Sequence, residues 1–206
     1  FGLHSRIDNR VDEVTSALHA GNIYVNRNQI GAVVGSQPFG GEGLSGTGPK
    51  AGGPDYLTRF TAPVPVEATE APAATAVKSI WIQKALGRFR ESEPMARRDL
   101  PGPTGETNRL SFYRRAPLVC LGPDTAAQAR AVRDLGGSAV EAPGIEPSDL
   151  LTLEGFSGVL WWGGDAKGRA YVLALAQRRG PIVPVVIALA DRAHVVYERH
   201  GCVDKT

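Results

Sequence analysis

"PLVCLGPDTAAQARAVRDLGGSAVEA", Pro117 to Ala142, is the stretch that decides the fold. Leu118–Leu121 form a short apolar run of the kind that fills a strand buried on both faces. Asp124 then stands where a helix needs an N-cap, and "DTAAQARAVRDL" carries helix formers up to the stop at Gly136. "SAVEA" reads as the next strand. Strand, helix and strand in so few residues predict a parallel pair joined by a helical crossover.

The alternation continues downstream. "FSGVLWWGG" (156–164) reads as a strong strand, and "DAKGRAYVLALAQRRG" (165–180) as a helix opened by Asp165 and closed by Gly180. "PIVPVVIALA" and "HVVYERHGCV" read as two further strands. The expectation for residues 113–206 is therefore a Rossmann-like α/β domain with a mostly parallel sheet. In "GPDTAAQ", the turn after its first strand, Gly122 is the only glycine, so the tight phosphate-binding turn of a dinucleotide site is missing. This unit is expected to bind no cofactor.

Upstream the pattern differs. Val11, Val14 and Leu18 have helical spacing within residues 8–20, with Gly21 as the expected stop. "NIYVN" (22–26) reads as a strand, and "DYLTRF" (55–60) as a second short one. Residues 61–112 read as linker, helix and irregular segment. "TAPVPVEATEAPAATA" is the linker, though "VPVEAT" alternates well enough for an exposed strand. A helix over 77–91 would turn Ile80, Ile82, Leu86 and Phe89 to one side. Pro94, Pro101 and Pro103 argue against regular structure in "EPMARRDLPGPTGETNRLSF".

Between Gln29 and Gly53 runs "QIGAVVGSQPFGGEGLSGTGPKAGG". A mere linker would not need Ile30, Val33, Val34, Phe39 and Leu44. "GEGLSG" matches G-x-G-x-x-G by letter, but neither the strand before it nor the helix after it is expected here. Lys50 belongs to no phosphate loop. A glycine-lined loop can instead bring bare N–H groups close to an anion. Gly31 and Ala32 are the small pair that could do this, with Phe39 stacking on an aliphatic ligand. The alternative is a rigid turn that touches no ligand.

The chain has 206 residues, a formal charge of +2 and 42% hydrophobic residues, so one large or two small globular domains are expected. Mixed charge gives no basic stripe for nucleic acid. Arg97, Arg98, Arg178 and Arg179 read as solvated faces. Trp161 and Trp162 read as one core residue and one packed under a helix, not as a stacking platform for bases. Cys120 and Cys202 form neither a disulfide framework nor a metal motif, which suits a reducing cytoplasm. Cys120 lies in an apolar strand, where a thiol is inert. His4, His19, His194 and His200 are scattered, so packed or solvated histidine is expected and no metal site. No apolar run is long enough to span a membrane. "FGLHSRIDNR" is no signal peptide and reads like the middle of a longer chain.

"AGNIYVN" followed by "PFGGEGLSGTG" resembles the C-terminal end of the aldehyde dehydrogenase catalytic domain. The wider run from Gly21 to Leu57, with "LPGPTGETNRLSF" (100–112) and the α/β unit after it, resembles the C-terminal part of the bifunctional proline utilization A family. That resemblance implies an enzyme that oxidises proline to Δ1-pyrroline-5-carboxylate with FAD and L-glutamate γ-semialdehyde to glutamate with NAD. It implies that residues 1–60 end the catalytic domain. Gly31 and Ala32 would donate N–H bonds to the substrate α-carboxylate, and Phe39 would wall its methylene chain. The nucleophilic cysteine, the general base and both cofactor sites would lie upstream, so the chain alone is expected to be inactive. The second unit would be a non-catalytic domain that helps close an internal channel. The implied partners are the upstream part of the polypeptide and further copies in a homo-oligomer. The implied location is the cytoplasm, with peripheral contact to the membrane. A stand-alone structural or oligomerisation module is the second reading, and an independent Rossmann-type binder is the third.

Overall fold

The computed structural model describes residues 1–46, 48–69, 76–91 and 93–205. The chain forms two compact units, each discontinuous in sequence. Unit 1 is Phe1–Thr61, Glu93–Tyr113 and Tyr197–Thr206, and unit 2 is Ala62–Ser92 with Arg114–Val196. This differs from the three contiguous stretches 1–60, 61–112 and 113–206 expected from the sequence.

Unit 1 is a five-stranded mixed sheet. In chain order its strands are β1 (Gly2–Leu3), β2 (Asn22–Val25), β3 (Ala96–Leu100), β4 (Glu106–Arg114) and β9 (Val196–Asp204). Their spatial order is β1-β2-β9-β4-β3. β1, β2 and β9 run parallel, with Tyr24 opposite Cys202, and β3 pairs antiparallel with β4. β2 is buried along its whole length. Helix α1 (Asp8–Ala17) joins β1 to β2, as in a crossover unit. It ends at an extended Leu18. Gly21 serves a different purpose from the expected stop: a Cβ there would lie 2.1 Å from the Gly40 carbonyl oxygen. It is glycine so that β2 can lie against the glycine loop.

Two expectations for this unit are overturned. "DYLTRF" is a 3-10 turn, Tyr56–Phe60, held by Thr58 N–H to the Asp55 carbonyl and by Tyr56 edge-on to Phe60. Residues 93–112 form the β3–β4 hairpin in place of an irregular segment. The prolines do not prevent it, because Pro94 precedes β3 while Pro101 and Pro103 lie in the turn. The last expected strand does form, but it completes the sheet of unit 1 and not that of the second domain.

Unit 2 is the expected α/β unit. β5 (Leu118–Cys120), β6 (Ala139–Glu141), β7 (Gly158–Leu160) and β8 (Val185–Val186) make an all-parallel sheet in the order β6-β5-β7-β8. α3 (Thr125–Asp134) follows β5, with Asp124 accepting from Ala127 N–H as its cap. α4 (Asp165–Leu175) follows β7, and the short α5 (Arg192–Val195) precedes β9. Val119, Val159, Leu150, Ile145 and Tyr171 form the core. α2 is shorter than expected, Ser79–Leu86. It buries Ile82 and Leu86, one turn apart, and leaves Ile80 exposed. Residues 62–69 adopt no regular structure, and residues 70–75 of the expected linker lie outside the described residues. Trp161 sits edge-on to Tyr171, while Trp162 donates its indole N–H to the Ala188 carbonyl. Arg178 is not a solvated side chain: it is half-buried over the Phe156 ring and donates to the Leu150 carbonyl.

Candidate functional site: the glycine loop of unit 1

The loop leaves β2 and splits into an exposed tip and a fixed stem. At the tip, residues 28–35 are exposed and Gly31 has φ +78°, a conformation that glycine adopts without strain. No acceptor lies against the N–H of Gly31 or Ala32 among the described residues. Beyond the tip, Gln37 N–H donates to the Val33 carbonyl at 2.7 Å, and Val33 N–H donates back to Gln37 Oε1 at 3.3 Å. Phe39 exchanges both backbone bonds with Ala51, at 3.0 and 2.9 Å. Its ring is 56% exposed, available to a ligand and not spent on the core.

The stem is built around a buried lysine. Lys50 Nζ donates to the Gly40 carbonyl at 2.6 Å and to Asn22 Oδ1 at 3.3 Å. Lys50 N–H donates to Glu198 Oε2 at 2.6 Å. Asn22 also receives Gly40 N–H on Oδ1 and donates Nδ2 to the Pro38 carbonyl. His200 Nδ1 lies 3.4 Å from Asn22 Nδ2. Burial brings the Lys50 ammonium down to about 8. Burial and the nearby Lys50 charge bring the His200 imidazole down to about 4. His200 is thus a neutral core histidine, within the packed reading expected of it. Further along, Glu42 receives a two-pronged bond from Arg199 at 2.8 and 2.5 Å. That guanidinium lies over the stacked rings of Tyr113 and Tyr197.

The structure thus brings Gly31 and Ala32 together at one tip and puts Phe39 in the same loop, on its fixed part. Sequence reasoning missed the holders: Asn22, Gln37, Lys50, Glu198, Arg199 and His200. One signal for them existed. Lys50 is a single cation inside a glycine run, too costly to bury without partners. Asn22 and Gln37 flank the loop tip, and Glu198, Arg199 and His200 come from β9, far along the chain.

The cysteines do not extend the site chemically. Burial raises the Cys120 thiol to about 12 and also raises that of Cys202. No group of three metal-ligating side chains exists among the described residues. None of their helices is long and apolar enough to cross a membrane. Neither glycine motif fits a dinucleotide. "GEGLSG" holds a 3-10 turn, Gly43–Ser45, with no strand–turn–helix context. After β5, both backbone groups of Gly122 are taken by the Gln128 side chain, at 3.0 and 2.8 Å.

Residues 2–66 match the aldehyde dehydrogenase family. Bifunctional protein PutA of Escherichia coli K12 is 33% identical over 97% of this chain and 19% of its own length. The human mitochondrial delta-1-pyrroline-5-carboxylate dehydrogenase is 47% identical over 30% of this chain and 11% of its own. Proline utilization A from Corynebacterium freiburgense matches in structure over 100% of this chain and 23% of its own, with TM-score 0.59 at 21% identity. That last likeness carries the fold. The chain spans about a fifth of the length of such curated relatives. The chain is thus similar to one piece of the bifunctional PutA proteins, and within it residues 2–66 match an aldehyde dehydrogenase segment.

Proposed function

We propose that this chain is the carboxylate-reading part of an aldehyde dehydrogenase that oxidises L-glutamate γ-semialdehyde, within a bifunctional proline-catabolic protein. The observation that carries the reading is the loop tip. Gly31 and Ala32 present two adjacent N–H groups without acceptors on a loop whose stem is fixed. A carboxylate can take both. Such bonds to a charged acceptor contribute roughly 1.5–3 kcal/mol each, enough to select an acidic aldehyde over a neutral one. The exposed Phe39 ring would cover the methylene chain between carboxylate and aldehyde.

The nucleophile, the general base and the sites for NAD and FAD are assigned to the upstream polypeptide. When bound there, NAD takes up hydride from the aldehyde carbon and FAD takes electrons from proline. Within this chain the work is binding and orientation. Unit 2 serves as a non-catalytic structural domain, in a cytoplasmic homo-oligomer.

The test is Ala32→Pro in the full-length enzyme, which removes one of the two N–H groups. We expect kcat/KM for glutamate semialdehyde to fall about ten- to a hundred-fold. An aldehyde of similar length without a carboxylate should be little affected, because it never used the bond. Phe39→Ala should weaken both substrates alike. A selectivity ratio unchanged by Ala32→Pro, in folded protein, would remove the carboxylate from the role of this loop.

A further inference from the structure

Glu106, the first residue of β4, lies in the "LPGPTGETNRLSF" stretch, to which the loop chemistry above gives no task. Its side chain is only 6% exposed. The carboxylate is met from both ends of the anchor loop. Arg27, two residues past β2, pairs with Oε2 through Nη1. Gln37, on the far side of the tip, donates Nε2 to Oε1 at 3.2 Å. Asn108 donates to the same oxygen at 2.7 Å. Gln37 is 2% exposed, and its own Oε1 receives Val33 N–H. No residue from 28 to 36 is buried, so apolar packing does not hold the tip. The Glu106 carboxylate, beside the Cys202 sulfur that Arg27 and Gln37 also reach at 3.8 and 3.6 Å, closes the neck of the loop, and its charge makes it the stronger partner from which the tip takes its order.

We propose that Glu106 is a positioning residue for the carboxylate-binding tip, an inference that rests on the reading of Gly31 and Ala32 given above. Glu106 touches no substrate. It sets the fraction of time the two N–H groups stand ready, and apparent affinity falls in proportion to that fraction. The supply of this residue by a segment distant from the loop gives the "LPGPTGETNRLSF" stretch a role in specificity.

The experiment is Glu106→Gln in the full-length protein, with Arg27→Met as a second variant approaching the same neck from the loop side. If the ready fraction drops to a tenth, KM for glutamate semialdehyde rises about tenfold while kcat stays nearly unchanged. The double variant should be little worse than either single one, because both remove the same contact. Hydrogen exchange across residues 28–36 should quicken in both variants without change elsewhere. A purely structural residue would instead lower the active fraction and the melting temperature at constant KM, and that result would overturn the proposal. Unchanged exchange at 28–36 in either folded variant overturns it as well. If exchange quickens and KM rises equally for acidic and carboxylate-free aldehydes, Glu106 does position the tip. In that case the carboxylate reading is what fails.

Discussion

Lys50 shows how one residue couples the loop to pH. Burial lowers its ammonium from 10.5 to about 8. Between those values the unfolded chain holds a proton that the folded one has lost, so stability rises with pH across that window. Burial likewise lowers His200 from 6.5 to about 4, and stability should also rise with pH from about 4 to 6.5. We expect urea midpoints of residues 1–206 to climb from about pH 4 to 6.5 and from about 8 to 9, above which the raised Cys120 and Cys202 thiols oppose the Lys50 gain. Lys50→Met should flatten the upper one, by at most about 3 kcal/mol, and leave the lower one in place. A slope above pH 8 unchanged by Lys50→Met would mean that Lys50 is solvated in solution. Gly31, Ala32 and Phe39 stand out in the sequence as candidates because they are a small pair and a lone aromatic in a glycine run, although a rigid turn would read the same way. Glu42 and Glu106 do not stand out, because a carboxylate in sequence looks alike whether solvated or buried against an arginine.

At the scale of elements, β9 does the most and was the least legible in its task. Its alternation sends Glu198, His200 and Cys202 toward the Lys50 backbone N–H and the Asn22 and Gln37 side chains. Arg199 points the other way, to Glu42, Tyr113 and Tyr197. Arg199 remains charged, since the Glu42 carboxylate overrides the burial that opposes its charge. A lysine offers neither the fork nor the flat face. Arg199→Lys should therefore cost roughly 1–3 kcal/mol, read as a lower urea midpoint of the 1–206 chain; a loss below about 0.5 kcal/mol would place the pair among ordinary surface ion pairs. The apolar runs around β5 and β7 could be read directly, since burial on both faces leaves a plain signature. The partner sheet of β9 could not, because a strand's neighbours are set by long-range register and not by its own residues. The hairpin β3–β4 was hidden for a different reason: its outer strand is "ARRDL", mostly exposed, with no apolar alternation to betray it.

For the whole molecule, the sequence pointed to a catalytic segment followed by a cofactor-free α/β unit. The α/β unit is there, but the chain enters and leaves it twice, so contiguous boundaries miss the division. Gln128 occupies both backbone groups of Gly122 at the turn where a pyrophosphate would sit. We expect calorimetric titration of residues 1–206 with NAD to give no saturable heat. The same protein should produce no NADH from glutamate semialdehyde, because neither cysteine is an accessible thiolate. Micromolar binding, or turnover above background, would refute this.

The position of β9 in the middle of the sheet, between β2 and β4, bears on how the protein is made. Its neighbours leave the ribosome first, and the whole of Arg115–Val195 must be synthesised before the gap between them can close. At cellular rates of elongation that delay is on the order of ten seconds. Throughout it, β2 and β4 each expose an edge able to recruit a foreign strand. Faster synthesis of Arg115–Val195, or a chaperone that covers those two edges meanwhile, should then raise the yield of correctly assembled protein.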